Sequence, residues 1–495
     1  MADTHALAQS TVDAIDTIPV PTYDRSRLRS GIVHFGVGGF HRAHQAMYLD
    51  RLLADTDADD AARWGICGIG VRPADAAMRD ALVPQDGLYT LTLKHPDGAV
   101  ETQVVGAICE YLYAPDDPEA VIEKLADPAT EIVSLTVTEG GYNFSPSTGE
   151  FDATNPDIVA DLADGAVPRT VFGLVTEALA RRREADVPSF TLMSCDNIQG
   201  NGEMAHATFL AFARLKDPGL ADWIDQHTRF PNSMVDRITP ATPDDLSAEV
   251  AARTGVDDRW PVVAEPFTQW VLEDNFAMGR PRFEDVGVQV VDDVTPYELM
   301  KLRLLNASHQ ALCYFGYLLG HRYVHDATDD PLIRELLQRY MSEEGRPTLR
   351  PVPGVDLDAY TTTLIERFGN PAIADTIARL CQDSSDRIPK WLVPVIRERL
   401  DADGDVSLAA AVVASWTRYA EGVDEHGEPI DVVDPLSGEL IALARESRTE
   451  PLAFVANRRL FGDLVDDERF TGPYLSALDS LRQKGARETL TELLS

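Results

Sequence analysis

Long apolar runs are missing from this chain. No stretch approaches the ~18 residues that a membrane-spanning helix needs. The N-terminus, Met-Ala-Asp-Thr-His-Ala-Leu-Ala-Gln-Ser, has neither the basic start nor the apolar centre of a secretion signal. A cytoplasmic protein is therefore expected, with no membrane partner. Cysteine is scarce: the five thiols, Cys67, Cys109, Cys195, Cys313 and Cys381, are widely spaced, with no Cys-x-x-Cys and no Cys/His cluster. An odd, scattered set argues against a disulfide framework and against structural zinc, so reduced, mostly buried thiols and no bound metal are expected. Basic residues are few, 44 against 81 acidic, giving a formal net charge of −37. Such a surface repels phosphates, which argues against nucleic acid as a partner. Internal repeats and low-complexity segments are also lacking.

What is there is a long globular chain. Its 495 residues are 44% apolar, too many for one ordinary core. The acidic charge is spread along the chain: Asp55-Thr-Asp57-Ala-Asp59-Asp60 continues a helical pattern, and Asp401-Ala-Asp403-Gly-Asp405 reads as a loop. Its expected effect is a solvated surface that resists aggregation, in keeping with a salty cell interior.

The first half alternates strand and helix. Apolar runs at Ile32–Phe35, Ile66–Val71, Tyr89–Leu93, Ile132–Val137 and Phe190–Ser194 read as strands, and Pro118–Leu125 and Val171–Arg183 as helices. That alternation predicts an α/β domain with a largely parallel, doubly wound sheet. From Pro296 onward nearly every segment reads helical: Tyr297–Leu319, Pro331–Glu344, Leu357–Phe368, Pro371–Cys381, Pro389–Arg399, Leu408–Glu421, Glu439–Arg445 and Pro473–Leu494. The expected domains are 1–290, of Rossmann type and dinucleotide-binding, and 291–495, mainly helical and holding substrate and catalytic groups.

Between the first strand and the helix after it lies Gly36-Val37-Gly38-Gly39-Phe40-His41. A dinucleotide site needs this order. The first glycine permits a tight turn, the second lets backbone approach a pyrophosphate, and the helix start offers N–H donors. The third position of the usual fingerprint is His41 instead of glycine, and glycine-rich turns of this kind also occur without a ligand. The acid that would read the ribose is Asp75, about 35 residues on from the loop where about 20 is usual. A carboxylate there favours NAD over NADP, Arg72 leaves the choice open, and Asp75 would serve equally as a helix cap.

Other polar clusters follow strands, where ligands of open α/β sheets collect. Asn197 lies in Cys195-Asp-Asn-Ile-Gln-Gly-Asn-Gly202, suited either to the nicotinamide side of a cofactor or to an Asx turn. Glu139 lies in Thr138-Glu-Gly-Gly-Tyr-Asn143, beside the expected cofactor site. Glu139 and Glu298 suit either proton passage or ordinary surface pairing. Asp236 and Arg237 sit between apolar neighbours, a structural ion pair being the plainer reading for Arg237. Arg379, Arg387 and Lys390 offer cations in the helical half, or simply helix C-terminal charge.

Lys301, Asn306 and His309 stand in an otherwise leucine-rich helix. At ~100° per residue, Glu298, Lys301, Asn306 and His309 fall within about 140° of one another. A lysine among leucines loses hydration, which lowers its pKa, and a neutral amine can accept a proton. With an asparagine and a histidine to bond a substrate oxygen, the set suits alcohol–ketone chemistry without a metal. The alternative is a lysine that snorkels out of a core helix.

Six segments together, Gly36-Val-Gly-Gly-Phe-His-Arg-Ala-His44, Thr138-Glu-Gly-Gly-Tyr142, Cys195-Asp-Asn197, Met234-Val-Asp-Arg-Ile-Thr-Pro240, Glu265-Pro-Phe-x-Gln-Trp270 and Lys301-x4-Asn306-x2-His309, resemble the polyol-specific long-chain dehydrogenases in residues and order. The glycine loop and the Cys-Asp-Asn-Ile-Gln-Gly-Asn-Gly segment most resemble the branch acting on mannitol, with the hexuronate (fructuronate) reductases as the nearest rival. The resemblance implies a Rossmann-type N-terminal domain, a mainly helical C-terminal domain, and metal-independent, NAD-dependent interconversion of D-mannitol and D-fructose. It implies Lys301 as general acid/base and Asn197 with Asn306 as an oxyanion hole. It also implies Asp236, His309, Arg379 and Lys390 as holders of substrate hydroxyls, and Glu298 on the proton path. Arg387 could take the place of Arg379 or Lys390. It favours a monomer. Other polyols such as arabinitol or sorbitol, and a non-catalytic sugar or nucleotide sensor, remain alternatives.

Overall fold

The computed structural model describes residues 5–55, 61–144 and 150–495. The acidic run Asp57 to Asp60 lies outside the described residues. The chain divides into two compact units, one of Met1–His95 with Ala99–Val294, the other of Pro96–Gly98 with Thr295–Ser495.

The strands, in chain order, are β1 His5–Ala6, β2 Ile32–Phe35, β3 Ile66–Gly70, β4 Tyr89–Lys94, β5 Val100–Val105, β6 Ile108–Tyr113, β7 Ile132–Leu135, β8 Thr191–Ser194, β9 Ser233–Asp236, β10 Val256–Asp257, β11 Val262–Ala264, β12 Gln269–Glu273 and β13 Gln289–Val291. The principal sheet has five parallel strands in the order β6-β3-β2-β7-β8. This is the Rossmann arrangement: the chain winds outward one way from β2, then returns to continue from β7, so β2 and β7 flank the switch point where ligands collect.

Both faces of this sheet are covered. Ile32, Ile66, Ile108 and Ile132 enter one core with Ala43, Ala46 and Met47. Val33, Phe35, Cys67, Ile69, Val133 and Leu135 enter another, with Val121, Leu125, Leu174 and Phe209. The two-residue alternation thus feeds two cores, which is why these strands read as unbroken apolar runs. The flanking helices begin where expected. Pro118–Ala126 has Pro at its first position and Asp117 accepting from Ala120 N, and Val171–Glu184 is capped by Thr170.

Two features of the first unit depart from expectation. The segment at Tyr89 is a strand, but β4 pairs antiparallel with β5 and parallel with β11 in a separate three-stranded sheet. The outer strand of the principal sheet is instead β6, whose residues Glu110 to Tyr113 are only half-buried. A second three-stranded sheet, β13-β12-β9, carries Asp236 at the end of β9.

The second unit is helical. Leu357–Phe368 forms as expected. The long C-terminal segment splits at Gly485, whose φ of +86° ends a helix, into Glu468–Gln483 and Ala486–Leu494. Only Ile377–Leu380 of the helix expected over Pro371–Cys381 forms, because Asn370 Oδ1 accepts from Ala372 N and Ala374 adopts φ +50°. Among the described residues no helix is long and apolar enough to cross a membrane.

Candidate functional site

In the first unit the glycine loop occupies the switch point. Gly36 has φ +91°, and a Cβ there would lie 2.1 Å from Thr136 O, so glycine is required by the fold itself. Gly38 differs. Its Cβ would meet nothing nearer than Gly36 O at 3.8 Å. The protein leaves that space open, which fits a group such as a pyrophosphate lying against the backbone. Val37 is buried, and Phe40 stacks on the His44 ring at 4.9 Å.

His41 explains the departure from a third glycine. That glycine normally lets helix and strand approach closely. Here the His41 ring lies flat on His34 of β2, with centroids 3.4 Å apart. The imidazole fills the gap between helix and sheet. His34 bonds Ser134 Oγ at 2.7 Å and Thr136 Oγ1 at 2.9 Å, and Ser134 Oγ donates to Gln45 Oε1 at 3.0 Å. Burial lowers the pKa of His34 to about 3 and that of His41 well below the usual value, so both rings are neutral. Sequence reasoning missed this network. Its signal was a histidine inside a four-residue strand that is otherwise apolar.

Asp196 links the ends of β7 and β8. Its carboxylate accepts from Thr138 N at 2.8 Å, Val137 N at 3.1 Å and the Tyr142 hydroxyl at 2.8 Å. Burial raises its pKa, opposed by those donors. Thr138 is thereby held at φ +63°, an uncommon conformation for a β-branched residue. Asn197 follows immediately and is exposed, as is Glu139. Asp75 lies beyond the end of β3. Its Oδ2 accepts from Val71 N and Arg72 N, each at 2.9 Å, and its Oδ1 faces Arg72 Nη2 at 3.4 Å. Asp75 therefore does act as a cap, with one oxygen directed toward the arginine.

Asp236 is buried at the end of β9. Arg237 donates to Glu265 O at 2.9 and 2.8 Å and to Ala43 O at 2.6 Å, and burial lowers its pKa to about 10. It ties strand ends to the helix after the glycine loop, a structural role.

In the second unit, Thr295–Met300, Lys301–Asn306 and Ala307–Leu318 run on as one helix, but the middle piece is a π-turn. Residues 301–306 therefore do not follow the 100° spacing of an α-helix. The Ala307 N–H bonds Leu302 O, five residues back, instead of Arg303 O. One wider turn brings positions 301 and 306 closer in angle than the ~140° an α-helix leaves. Glu298, Lys301 and Asn306 are all buried, at 7%, 7% and 4% exposure, so the snorkelling alternative does not describe Lys301. Asn306 Oδ1 is buried with no hydrogen-bond partner among the described residues. The half-buried His309 ring lies 4.6 Å from Phe368. A buried lysine and, five residues on, a buried carboxamide oxygen without a partner among the described residues make the kind of polar set that a substrate hydroxyl completes.

The remaining cations are engaged nearby. Arg379 Nε donates to Asp375 Oδ1 at 2.6 Å, and Lys390 Nζ to Asp386 Oδ2 at 2.8 Å, both at exposed positions. Arg387 donates to Leu380 O at 3.0 Å. Among the described residues, no group of three or more His, Cys, Asp or Glu forms a metal-holding cluster.

Two family models match the chain: "Mannitol dehydrogenase Rossmann domain" over residues 30–285 and "Mannitol dehydrogenase C-terminal domain" over residues 293–482. The chain is 48% identical over 490 residues to mannitol 2-dehydrogenase of Phaeosphaeria nodorum, covering 98% of this chain and 85% of that one. Identity to mannitol 2-dehydrogenase of Aspergillus fumigatus is 47% over 485 residues, covering 97% and 96%. Among solved structures, Pseudomonas fluorescens mannitol 2-dehydrogenase, in ternary complex with NAD and D-mannitol, superposes with a TM-score of 0.88 at 44% identity, covering 99% of both chains. A substrate-free D-sorbitol dehydrogenase superposes with a TM-score of 0.89 at 39% identity, covering 98% of this chain and 100% of that one.

Proposed function

This chain belongs to the mannitol dehydrogenase family, and on that premise we propose that it is an NAD-dependent polyol dehydrogenase interconverting D-mannitol and D-fructose at C2. The observation that carries the reading is the full-length likeness to the enzyme solved with NAD and D-mannitol. The open face of Gly38 fits the dinucleotide. Bound NAD supplies the acceptor for the hydride leaving C2.

The residues of the chain then have the remaining work. In oxidation the C2 hydroxyl must lose its proton, and Lys301 Nζ takes it; in reduction the same amine returns it. The carboxamide N–H groups of Asn197 and Asn306 donate to the oxygen on which charge develops, and one such donor is worth about 3 kcal/mol. This division of labour requires no metal. Glu298 lies on the path by which Lys301 exchanges its proton with solvent. Asp236 and His309 bond the remaining hydroxyls, joined by Arg379 and by Lys390, whose exposed ion pair with Asp386 costs only ~0–1 kcal/mol to break. Val37, Phe40, His41 and Glu139 line or support the cofactor loop, and Asp75 reads the ribose.

The likeness to D-sorbitol dehydrogenase favours one second reading, in which a different hexitol is preferred. Nicotinamide absorbance during incubation with mannitol, sorbitol, arabinitol, fructose and fructuronate, with NAD and NADP and with or without a chelator, tests the proposal. Highest kcat/KM on mannitol and fructose with NAD, unaffected by the chelator, is expected. Preference for fructuronate or sorbitol would replace the substrate, and loss of activity in the chelator would overturn the metal-free mechanism.

A further inference from the structure

The π-turn at Lys301 leaves one backbone carbonyl without its normal partner. In an α-helix Arg303 O would accept from Ala307 N. Here that N–H bonds Leu302 O instead. Arg303 O accepts from the hydroxyl of Tyr340 at 3.1 Å. Tyr340 is fully buried and opens a second π-turn, Tyr340–Gly345. That second turn approaches the first closely: a Cβ on Gly345 would lie 3.0 Å from Leu304 Cδ2 and 3.3 Å from Arg303 O. The Arg303 side chain is fastened separately, to Thr348 O at 2.7 Å and to both oxygens of Glu398 at 2.7 and 2.6 Å.

We propose that Tyr340 is a positioning residue for the reaction: its hydroxyl replaces the hydrogen bond the wide turn gives up, and so holds Lys301 and Asn306 in the spacing that catalysis uses. Buried carbonyls must be satisfied, and π-turns are rare and gather at functional sites. Without the hydroxyl, the cheapest way to satisfy Arg303 O is to return the Ala307 N–H to it. That converts the turn to α geometry and swings Asn306 away from Lys301. The inference rests on the reading of Lys301 as the general acid/base.

The test compares Tyr340→Phe, Gly345→Ala and Lys301→Ala with the parent enzyme, assaying mannitol oxidation across pH and NAD binding by fluorescence. Tyr340→Phe keeps the ring and removes only the hydroxyl. Gly345→Ala disturbs the same turn from the other side, so the inference does not depend on one variant folding. For both we expect kcat to fall by about tenfold to a hundredfold, the scale of a small misplacement. The acidic limb of the pH profile should move, a larger isotope effect should appear with C2-deuterated mannitol, and NAD affinity should stay unchanged. An inactive Lys301→Ala beside a Tyr340→Phe enzyme with parental kcat and pH profile would overturn the role of Tyr340 alone. A fully active Lys301→Ala would overturn the base assignment on which it rests.

Discussion

His41 lies flat against His34, ring centroids 3.4 Å apart and planes within 14° of parallel. Two buried neutral imidazoles therefore stand where a dinucleotide fold usually places a glycine to let helix and strand touch. The pair spaces the helix from the sheet beside the cofactor loop, and hydrogen bonds from His34 to Ser134 and Thr136 join the two strands at the switch point.

That burial has a pH signature. The folded pKa of His34 is about 3, against 6.5 ordinarily, so the unfolded chain binds the extra proton between those values. Stability from this group is complete above about pH 6.5 and is lost as pH falls toward 3, by up to about 1.4 kcal/mol per pH unit. Urea unfolding at pH 6.5 and 5 should show the loss, and His34→Gln, which cannot titrate, should show a shallower slope. Equal slopes would mean that His34 does not titrate as its burial implies.

The two loop glycines should separate fold from cofactor binding. Gly36→Ala places a Cβ 2.1 Å from Thr136 O at φ +91°, and should lower the melting temperature sharply. Gly38→Ala meets nothing closer than 3.8 Å, so its melting temperature should match the parent while NAD affinity falls by tenfold or more, about 1.4 kcal/mol. Undiminished NAD affinity in Gly38→Ala would remove the loop from the cofactor site.

Asp75 does two jobs in this account, and one substitution divides them. Its Oδ2 caps Val71 N and Arg72 N, and a carboxamide oxygen can still accept both bonds. Asp75→Asn should therefore hold stability within about 0.5 kcal/mol while raising NADP use, because Arg72 is released to meet a 2′-phosphate. Asp75→Ala should add a stability loss of about 1 kcal/mol. Cofactor ratios from initial rates, beside thermal melts, check both. An unchanged NAD/NADP ratio in Asp75→Asn would move ribose recognition to another residue.

Much of the fold was legible in the sequence for simple physical reasons. Ile32-Val-His-Phe35 and Ile132-Val-Ser-Leu135 are apolar because both their faces are covered, and Leu357–Phe368 keeps helical period from cap to end. Other parts were not legible. The edge strand β6 mixes apolar and polar residues because its outer portion is half-exposed, so it gives no clean period. The strand at Tyr89 reads like any other, and only its partners show that it belongs to a different sheet. At the site, a wheel drawn at 100° puts 301, 306 and 309 on one side of the helix but cannot reveal a π-turn. In that turn Arg303 O accepts from the hydroxyl of Tyr340, about 37 residues away in sequence. The partners of Arg379 and Lys390, Asp375 and Asp386, each lie four residues back, Asp386 on the same helix as Lys390 and Asp375 just ahead of the helix Ile377–Leu380. For Lys390 that spacing is the one at which opposite charges meet on a helix surface.

Lys301 is buried, at 7% exposure, and lies with Asn306 in the wide turn. The most direct test is single-turnover oxidation of D-mannitol by Lys301→Ala, followed at saturating NAD. General-base removal predicts a rate lower by about 10²–10⁴-fold with NAD affinity unchanged. A single-turnover rate equal to that of the parent enzyme would contradict the account.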